Sequence, residues 1–330
     1  MGFYYLKRLT KQELGLRADG SVARGRYFYL SKLFIEFFPG LSPLVKNDNV
    51  LIPIIPPFSE EKVYCALVYH NDKLNTINGT RDEYRLYLNQ DIDPGYYFQK
   101  DDIVVFERID VGGVMPLYKL FRFNEQDPLY GALSDLIDLS PARGGHALVD
   151  GHIEGLVDTV VDSESLSVII PKDIETIVKV QQEEIIESEE EIEDIRGASL
   201  FNSISFRDFV MHAYGYKCAI TGEAIAYKKL NNLEAAHIQP RAHTGTYLPC
   251  NGIALSRDMH WAFDKGMFTI DENYAIVVHS EVRGSSLGKY HGQKLFVPID
   301  AYFRPEIKFL KHHNDNVFGL FLYSGMIRAL

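Results

Sequence analysis

Over the first 125 residues, largely apolar, β-prone runs stand at 50–55, 63–70, 84–88, 103–106 and 118–123. Between them stand Asn78-Gly79, Asp93-Pro94-Gly95 and Gly112-Gly113. Short strands punctuated by turn formers predict a mainly β barrel or sandwich. The run 27–38 fits a helix, and 127–139 predicts one. Beyond residue 200 the period changes. Apolar residues at 206, 209, 210, 213 and 214 recur as one helical face, with Ser203 and Ser205 as N-cap candidates. A turn at Cys218-Ala219-Ile220-Thr221-Gly222 is followed by a strand at 233–238, a loop and a second strand at 251–256. A short helix over 257–263 comes next, then a β pair at 268–270 and 275–278 around Asp271-Glu272-Asn273.

A third kind of segment separates these two patterns. Residues 181–194 are strongly acidic and self-repelling, so they read as a linker. Isoleucines at 185, 186, 192 and 195 would also give a short exposed helix a narrow apolar stripe, weakened by like charges at i,i+4. The organisation expected is α+β: a β-rich barrel-like domain over 1–175, an acidic linker over 176–200 and a second domain over 201–330. A chain of 330 residues suits about two domains of roughly 150, and 46% apolar content is ample for two cores.

Charge refines this division. The net charge of −11 argues against a polyanionic partner, but it is unevenly spread. Residues 1–180 hold 19 basic and 26 acidic side chains, 181–200 hold 1 and 8, and 201–330 hold 14 and 11. The last region is therefore net basic. Residues 1–32 are locally basic as well, with seven basic side chains against Glu13 and Asp19. No apolar run reaches 18 residues, and the start Met1-Gly2-Phe3-Tyr4-Tyr5-Leu6-Lys7-Arg8 lacks the apolar core of a signal peptide, so a soluble cytoplasmic protein without membrane contact is expected. Three cysteines, Cys65, Cys218 and Cys250, without a CxxC pair exclude a disulfide framework and a four-cysteine zinc knuckle. Cys218 and Cys250 read as small core residues.

The strand, loop, strand and helix unit after residue 230 carries the candidate chemistry. Hydrolysing a phosphodiester needs a base for water, a cation for the departing oxyanion, and a scaffold holding both at one phosphate. His237 offers an imidazole that is largely neutral at cellular pH. His260 and Asp264, at i and i+4, put an imidazole and a carboxylate on one helix face, where they could hold one divalent ion. Asn251 offers an amide to fix the loop or orient the base. The remaining histidines, His243, His279, His291, His312 and His313, read as surface or core residues.

Leu233-Glu234-Ala235-Ala236-His237-Ile238, Asn251-Gly252-Ile253-Ala254-Leu255-Ser256 and His260-Trp261-Ala262-Phe263-Asp264-Lys265-Gly266 resemble the HNH nucleases with a ββα-metal fold. Cys218-x-x-Thr221-Gly222 upstream and residues 305–313 downstream extend the likeness to about 206–318. The resemblance implies that His237 is the general base, Asn251 the central structural asparagine and His260 a metal ligand, with Asp264 where some members carry a second ligand on the helix. It implies a divalent cofactor, Mg²⁺ or Mn²⁺ foremost, with Ni²⁺, Co²⁺ or Zn²⁺ also compatible with His260. One position departs from the family: many members place a metal-binding Asp or His directly before the base, where this chain has Ala236. Glu234, on the same strand face, is the candidate replacement.

For the first domain, Arg24-Gly25-Arg26-Tyr27-Phe28-Tyr29 and Arg81-Asp82-Glu83-Tyr84-Arg85 combine guanidinium groups with aromatic surfaces, making Arg24, Arg26, Arg81 and Arg85 candidate DNA contacts. The alternative is that the aromatics are core and the arginines ordinary surface. The strand-rich pattern with residues 99–106 is similar to the DNA-recognition pseudo-barrels of some restriction enzymes. These resemblances imply a restriction-type endonuclease acting on double-stranded DNA as a homodimer and directed to a sequence or a modified base. In one competing view the acidic stretch mimics DNA in the enzyme's own cleft. Others are a nuclease acting on RNA or on any DNA, and an HNH fold that has lost its chemistry and only binds.

Overall fold

The β-prone runs of the first half fold into one curled sheet. In the computed structural model the described residues are 2–15, 25–71, 82–110, 115–156, 168–170, 203–227 and 230–321. Arg24, Arg81, the Asn78-Gly79 and Gly112-Gly113 turns and the acidic stretch 181–194 lie outside them. The chain divides into two units, Met1–Leu200 and Phe201–Leu330. Among the described residues no helix is long and apolar enough to cross a membrane.

In the first unit the strands are β1 (Phe3–Arg8), β2 (Tyr27–Leu30), β3 (Asn49–Ile55), β4 (Lys62–His70), β5 (Glu83–Tyr87), β6 (Ile103–Ile109) and β7 (Leu117–Phe123). Helix α1 (Tyr130–Asp138) precedes β8 (His146–Asp150) and β9 (Val168–Ile169). They line up as β2-β5-β4-β3-β7-β6-β1-β8, with β9 beside β4, and only β3–β7 and β4–β9 pair in parallel. Pro53 sits inside β3 without breaking a ladder bond to β7, because that pairing involves only Ile54 and Ile55.

Strand β1 is buried on both faces. Tyr4 and Leu6 pack with Ile103 and Val105 beneath Leu133 and Ile137 of α1. Tyr5 points the other way, into an aromatic interior with Phe37, Phe38 and Phe106. Lys7 shares that side of the strand and is neutralised by Glu13 at 3.1 Å, both side chains under 5% exposed. Glu13 also accepts from the backbone N–H of Tyr29 on β2, and the Tyr5 hydroxyl accepts from Ser31, so side chains of and beside β1 reach the opposite end of the sheet and give it its barrel-like form. The helix expected over 27–38 is instead β2 followed by a 3₁₀ turn at Lys32–Phe37. Phe28 and Leu30 are fully buried while Tyr29 is 36% exposed, and this two-residue alternation pairs with β5.

The second unit begins with α2 (Ser203–Ala213), which contains Ser203 and Ser205 rather than being capped by them. Short strands β10 (Ala226–Tyr227) and β11 (Leu230–Asn231) precede the antiparallel pair β12 (Leu233–His237) and β13 (Gly252–Ser256). Helix α3 (Arg257–Asp264) follows directly, then β14 (Phe268–Ile270), β15 (Ile276–Val278) and α4 (Ile307–Asn316). The core is formed by Phe206 and Val210 of α2, Leu233 and Ala236 of β12, Ile253 and Leu255 of β13, and Met259 and Phe263 of α3. Cys218 and Cys250 are buried free thiols.

Candidate active site

The register of the two strands places His237 opposite Gly252, and Glu234 opposite Leu255 one residue before the start of α3 is reached at Ser256. Gly252 is required by close approach: a Cβ there would meet Val210 Cγ2 at 2.4 Å and the Phe206 ring at 2.8 Å. Because nothing projects from Gly252, α2 settles onto β13 and Phe206 stacks on the His237 imidazole, with ring centroids 4.1 Å apart and planes 16° from parallel. Tyr247 meets the same imidazole edge-on at 5.5 Å, and the Arg241 guanidinium lies over Tyr247.

This enclosure sets the electrostatics of His237. Burial foremost, then the positive charge of Arg241 and the neighbouring His260, push its imidazole down to about 4, so it is neutral at cellular pH. Its Nε2 is buried and has no hydrogen-bond partner among the described residues. An orphaned buried nitrogen costs about 1–3 kcal/mol, so it calls for a reason, and a reserved catalytic valence is one.

The loop after His237 is fastened by Asn251, which is fully buried. Its Oδ1 accepts from the Gln239 N–H at 2.8 Å, and its Nδ2 donates to the carbonyls of Gln239 (3.1 Å) and Thr246 (3.0 Å). The Asn251 carbonyl accepts from Ile238 at 2.8 Å. One side chain thus ties both ends of the 239–246 loop to the start of β13, next to the base candidate.

On α3, His260 and Asp264 share a face, with Nε2 and Oδ2 3.6 Å apart. On its other side His260 donates from Nδ1 to Glu234 Oε2 at 2.8 Å. Two metal–ligand bonds of about 2.1 Å span a gap like that between Nε2 and Oδ2 at an open angle, so this donor pair fits a divalent ion. Among the described residues no group of three or more His, Cys, Asp or Glu is arranged to hold one, which leaves most positions to water and phosphate oxygens. Ala236 is fully buried against the core and offers no ligand.

Residues 218–271 match the model of the HNH endonuclease family. This segment is an HNH endonuclease domain. It contains all four candidate residues, His237, Asn251, His260 and Asp264, and the strands and helix that carry them. No curated protein matches the chain. Two solved structures are similar in part. One is a modification dependent TagI restriction endonuclease, 17% identical, matched over 36% of this chain and 38% of that one with a TM-score of 0.28. The other is the N-terminal domain of Helicobacter pylori LlaJI.R1, 18% identical, matched over 46% of this chain and 99% of that one with a TM-score of 0.30. The chain therefore spans well under half the length of the first.

Around the HNH domain's candidate residues the structure adds groups that the sequence reading missed. These are Phe206 and Arg241, which shape the His237 environment; Glu234, expected as a replacement ligand beside Ala236, instead accepts from His260 Nδ1. On the exposed side of α3, Arg257, Trp261 and Lys265 follow at i, i+4 and i+8; Trp261 is 57% exposed. That last spacing was legible in the sequence, whereas Phe206 and His237 are too far apart along the chain to signal contact. The histidines read as core or surface include a pair, buried His243 and half-buried His312, whose Nδ1 and Nε2 lie 3.1 Å apart and link the loop to α4.

The arginines expected to contact DNA separate into two situations. Arg26 is buried, with its guanidinium bound to Asp93 and to the carbonyls of Leu14 and Phe98, and it lies over the Tyr96 ring. Its donors are consumed inside the unit, which removes it as a phosphate contact. Arg85 on β5 lies over the Tyr27 ring at 4.1 Å and pairs with Glu83; its side chain is only 15% exposed, and its buried Nε has no hydrogen-bond partner among the described residues.

Proposed function

We propose that the protein is a divalent-metal-dependent DNA endonuclease of restriction type, with His237 as general base. The observation carrying this reading is a neutral, half-buried imidazole whose buried Nε2 is unclaimed, in the same ββα unit as the facing His260–Asp264 pair. In this reading the His237 imidazole takes a proton from the attacking water. Its low basicity keeps it unprotonated across the physiological range, and the stack between Phe206 and Tyr247 fixes its plane. Asn251 keeps the loop, and with it the direction of attack, constant. His260 and Asp264 would hold Mg²⁺ or Mn²⁺, which supplies charge neutralisation at the scissile phosphate and the departing oxygen. The stripe of Arg257, Trp261 and Lys265 borders that face, with cationic groups suited to phosphates and a ring suited to sugar or base contact.

The first unit would select the target on double-stranded DNA, with Arg85, Arg24 and Arg81 as its contacts. Cutting both strands with one site per chain calls for two copies, so a homodimer on DNA belongs to the proposal. Digestion of modified and unmodified phage DNA, followed by end sequencing, tests it. Fixed ends that require Mg²⁺ or Mn²⁺ are expected. A smear without fixed ends would remove the specificity, and intact DNA bound tightly by the protein would point to an HNH fold that only binds.

A further inference from the structure

We infer that Glu234 is the positioning residue of the cation site: it grips the His260 ring by Nδ1, so that Nε2 faces Asp264, and is not itself a ligand. The inference rests on the reading of His260 and Asp264 as the cation-binding pair.

Both oxygens of Glu234 are already engaged, and both engagements come from α3. Oε2 receives the His260 Nδ1 hydrogen bond at 2.8 Å, and Oε1 meets Arg257 Nε at 3.3 Å. Arg257 and His260 lie three residues apart, one above the other on the helix, so the carboxylate spans two successive positions of a single face. A carboxylate only accepts, so Nδ1 must carry the hydrogen, and in a neutral imidazole the bare nitrogen is then Nε2. That bare nitrogen looks at a second acceptor, Asp264 Oδ2, 3.6 Å away. Two acceptors facing each other across that distance are an arrangement a cation joins.

The same geometry accounts for Ala236. The residue before the base is a buried methyl group, and the acidic side chain on the same strand acts one step further out, through the imidazole. A carboxylate behind a ligating histidine fixes its tautomer and ring orientation and raises its basicity as a ligand. With only two protein ligands to hold an ion, the orientation of one of them matters more than it would in a closed four-ligand site.

The test is Mn²⁺ titration of the full-length protein without DNA, followed by loss of the free-ion EPR signal, for wild type, Glu234→Ala, Glu234→Gln and His260→Ala. Wild type is expected to bind Mn²⁺ and His260→Ala to lose it. Glu234→Ala should weaken binding about 10- to 100-fold, and Glu234→Gln, whose amide oxygen can still accept from Nδ1, should recover most of that loss. Long-range ¹⁵N–¹H spectra of the metal-free protein should show His260 as the Nδ1–H tautomer in wild type and a shift toward Nε2–H in Glu234→Ala. Unchanged Mn²⁺ affinity in Glu234→Ala overturns the inference, and so does a Gln variant as weak as the Ala variant, the result expected of a direct ligand. Binding that His260→Ala leaves intact overturns instead the reading of the metal pair, while the tautomer spectra still report on Glu234.

Discussion

Each unit of the molecule sets a histidine among aromatic rings, buried His146 in the first and half-buried His237 in the second, and the two differ in how their ring nitrogens are bonded. In the first unit His146 Nδ1 is hydrogen-bonded to the Tyr5 hydroxyl at 2.7 Å, and Lys7 lies 3.5 Å from its other nitrogen; burial first, then Lys7, push it down to about 3. In the second unit His237 is pushed down to about 4, mainly by burial as well, yet its Nε2 has no partner among the described residues. The perturbed acidity is common to both and therefore does not mark the site. The unclaimed nitrogen separates His237 from His146, and on the proposed reading it is what the base offers a substrate, since a fully bonded imidazole has nothing left to give. His313 repeats the structural case: it stacks on Phe263, bonds to Thr269 Oγ1 and the Phe263 carbonyl, and is held at about 3.

The contrast can be broken most severely at the cation pair. Removing divalent ions with EDTA, or making His260→Ala, should lower DNA cleavage at least about a hundredfold, while the thermal unfolding of the first unit stays where it was. Cleavage assays beside calorimetry check this. Next come the two arginines. Arg26→Ala strands Asp93 in a buried setting and should cost about 3–5 kcal/mol in urea unfolding of the first unit. Arg85→Ala, which gives up the Tyr27 ring contact and the Glu83 pair, should cost less, about 1 kcal/mol, and reduce the salt dependence of DNA binding by about one phosphate contact, measured by anisotropy against salt.

A smaller effect is expected at His146. His146→Ala removes the hydrogen-bond partner of a buried tyrosine hydroxyl and should cost about 1–3 kcal/mol in the same unfolding experiment, with the rate of cleavage per folded molecule unaffected. The pH dependence sharpens the comparison further. His146 and His313 have folded values near 3 against an ordinary 6.5, so below 6.5 the unfolded chain binds protons that the folded chain refuses. Their contribution is fully present above pH 6.5 and is lost as pH falls toward 3, at up to about 1.4 kcal/mol per pH unit for each histidine. Melting temperatures recorded from pH 7 to pH 4 should decline on this account, and less steeply in His313→Phe.

Much of the fold was legible because β-prone runs and turn residues act locally. Strands expected at 50–55 and 118–123 appear as β3 and β7 with their ends moved by a residue, and the helix expected over 257–263 appears as α3. The helix expected over 27–38 failed because Tyr27–Leu30 alternates over too few residues to outweigh its aromatic content, and pairing with β5 decided the matter. β1 went unread because burial on both faces, with Lys7 neutralised inside, erases the alternation that would announce a strand. At the site, His237, Asn251, His260 and Asp264 stood out by spacing alone. The grip of Glu234 on His260 and the stack of Phe206 on His237 did not, since each contact depends on tertiary packing. Arg26 and Arg85 look alike as sequence, and the groups each binds separate them: Asp93 and two carbonyls for the one, the Tyr27 ring and Glu83 for the other.

The single-turnover rate of cleavage of a supercoiled plasmid at saturating Mn²⁺, for wild type against His237→Ala, bears most directly on the imidazole's role. Loss of general-base catalysis predicts a rate lower by about 10²- to 10⁴-fold in a protein that melts close to wild type and still binds DNA. A His237→Ala protein that cuts at the wild-type rate would contradict the assignment of this histidine as the base.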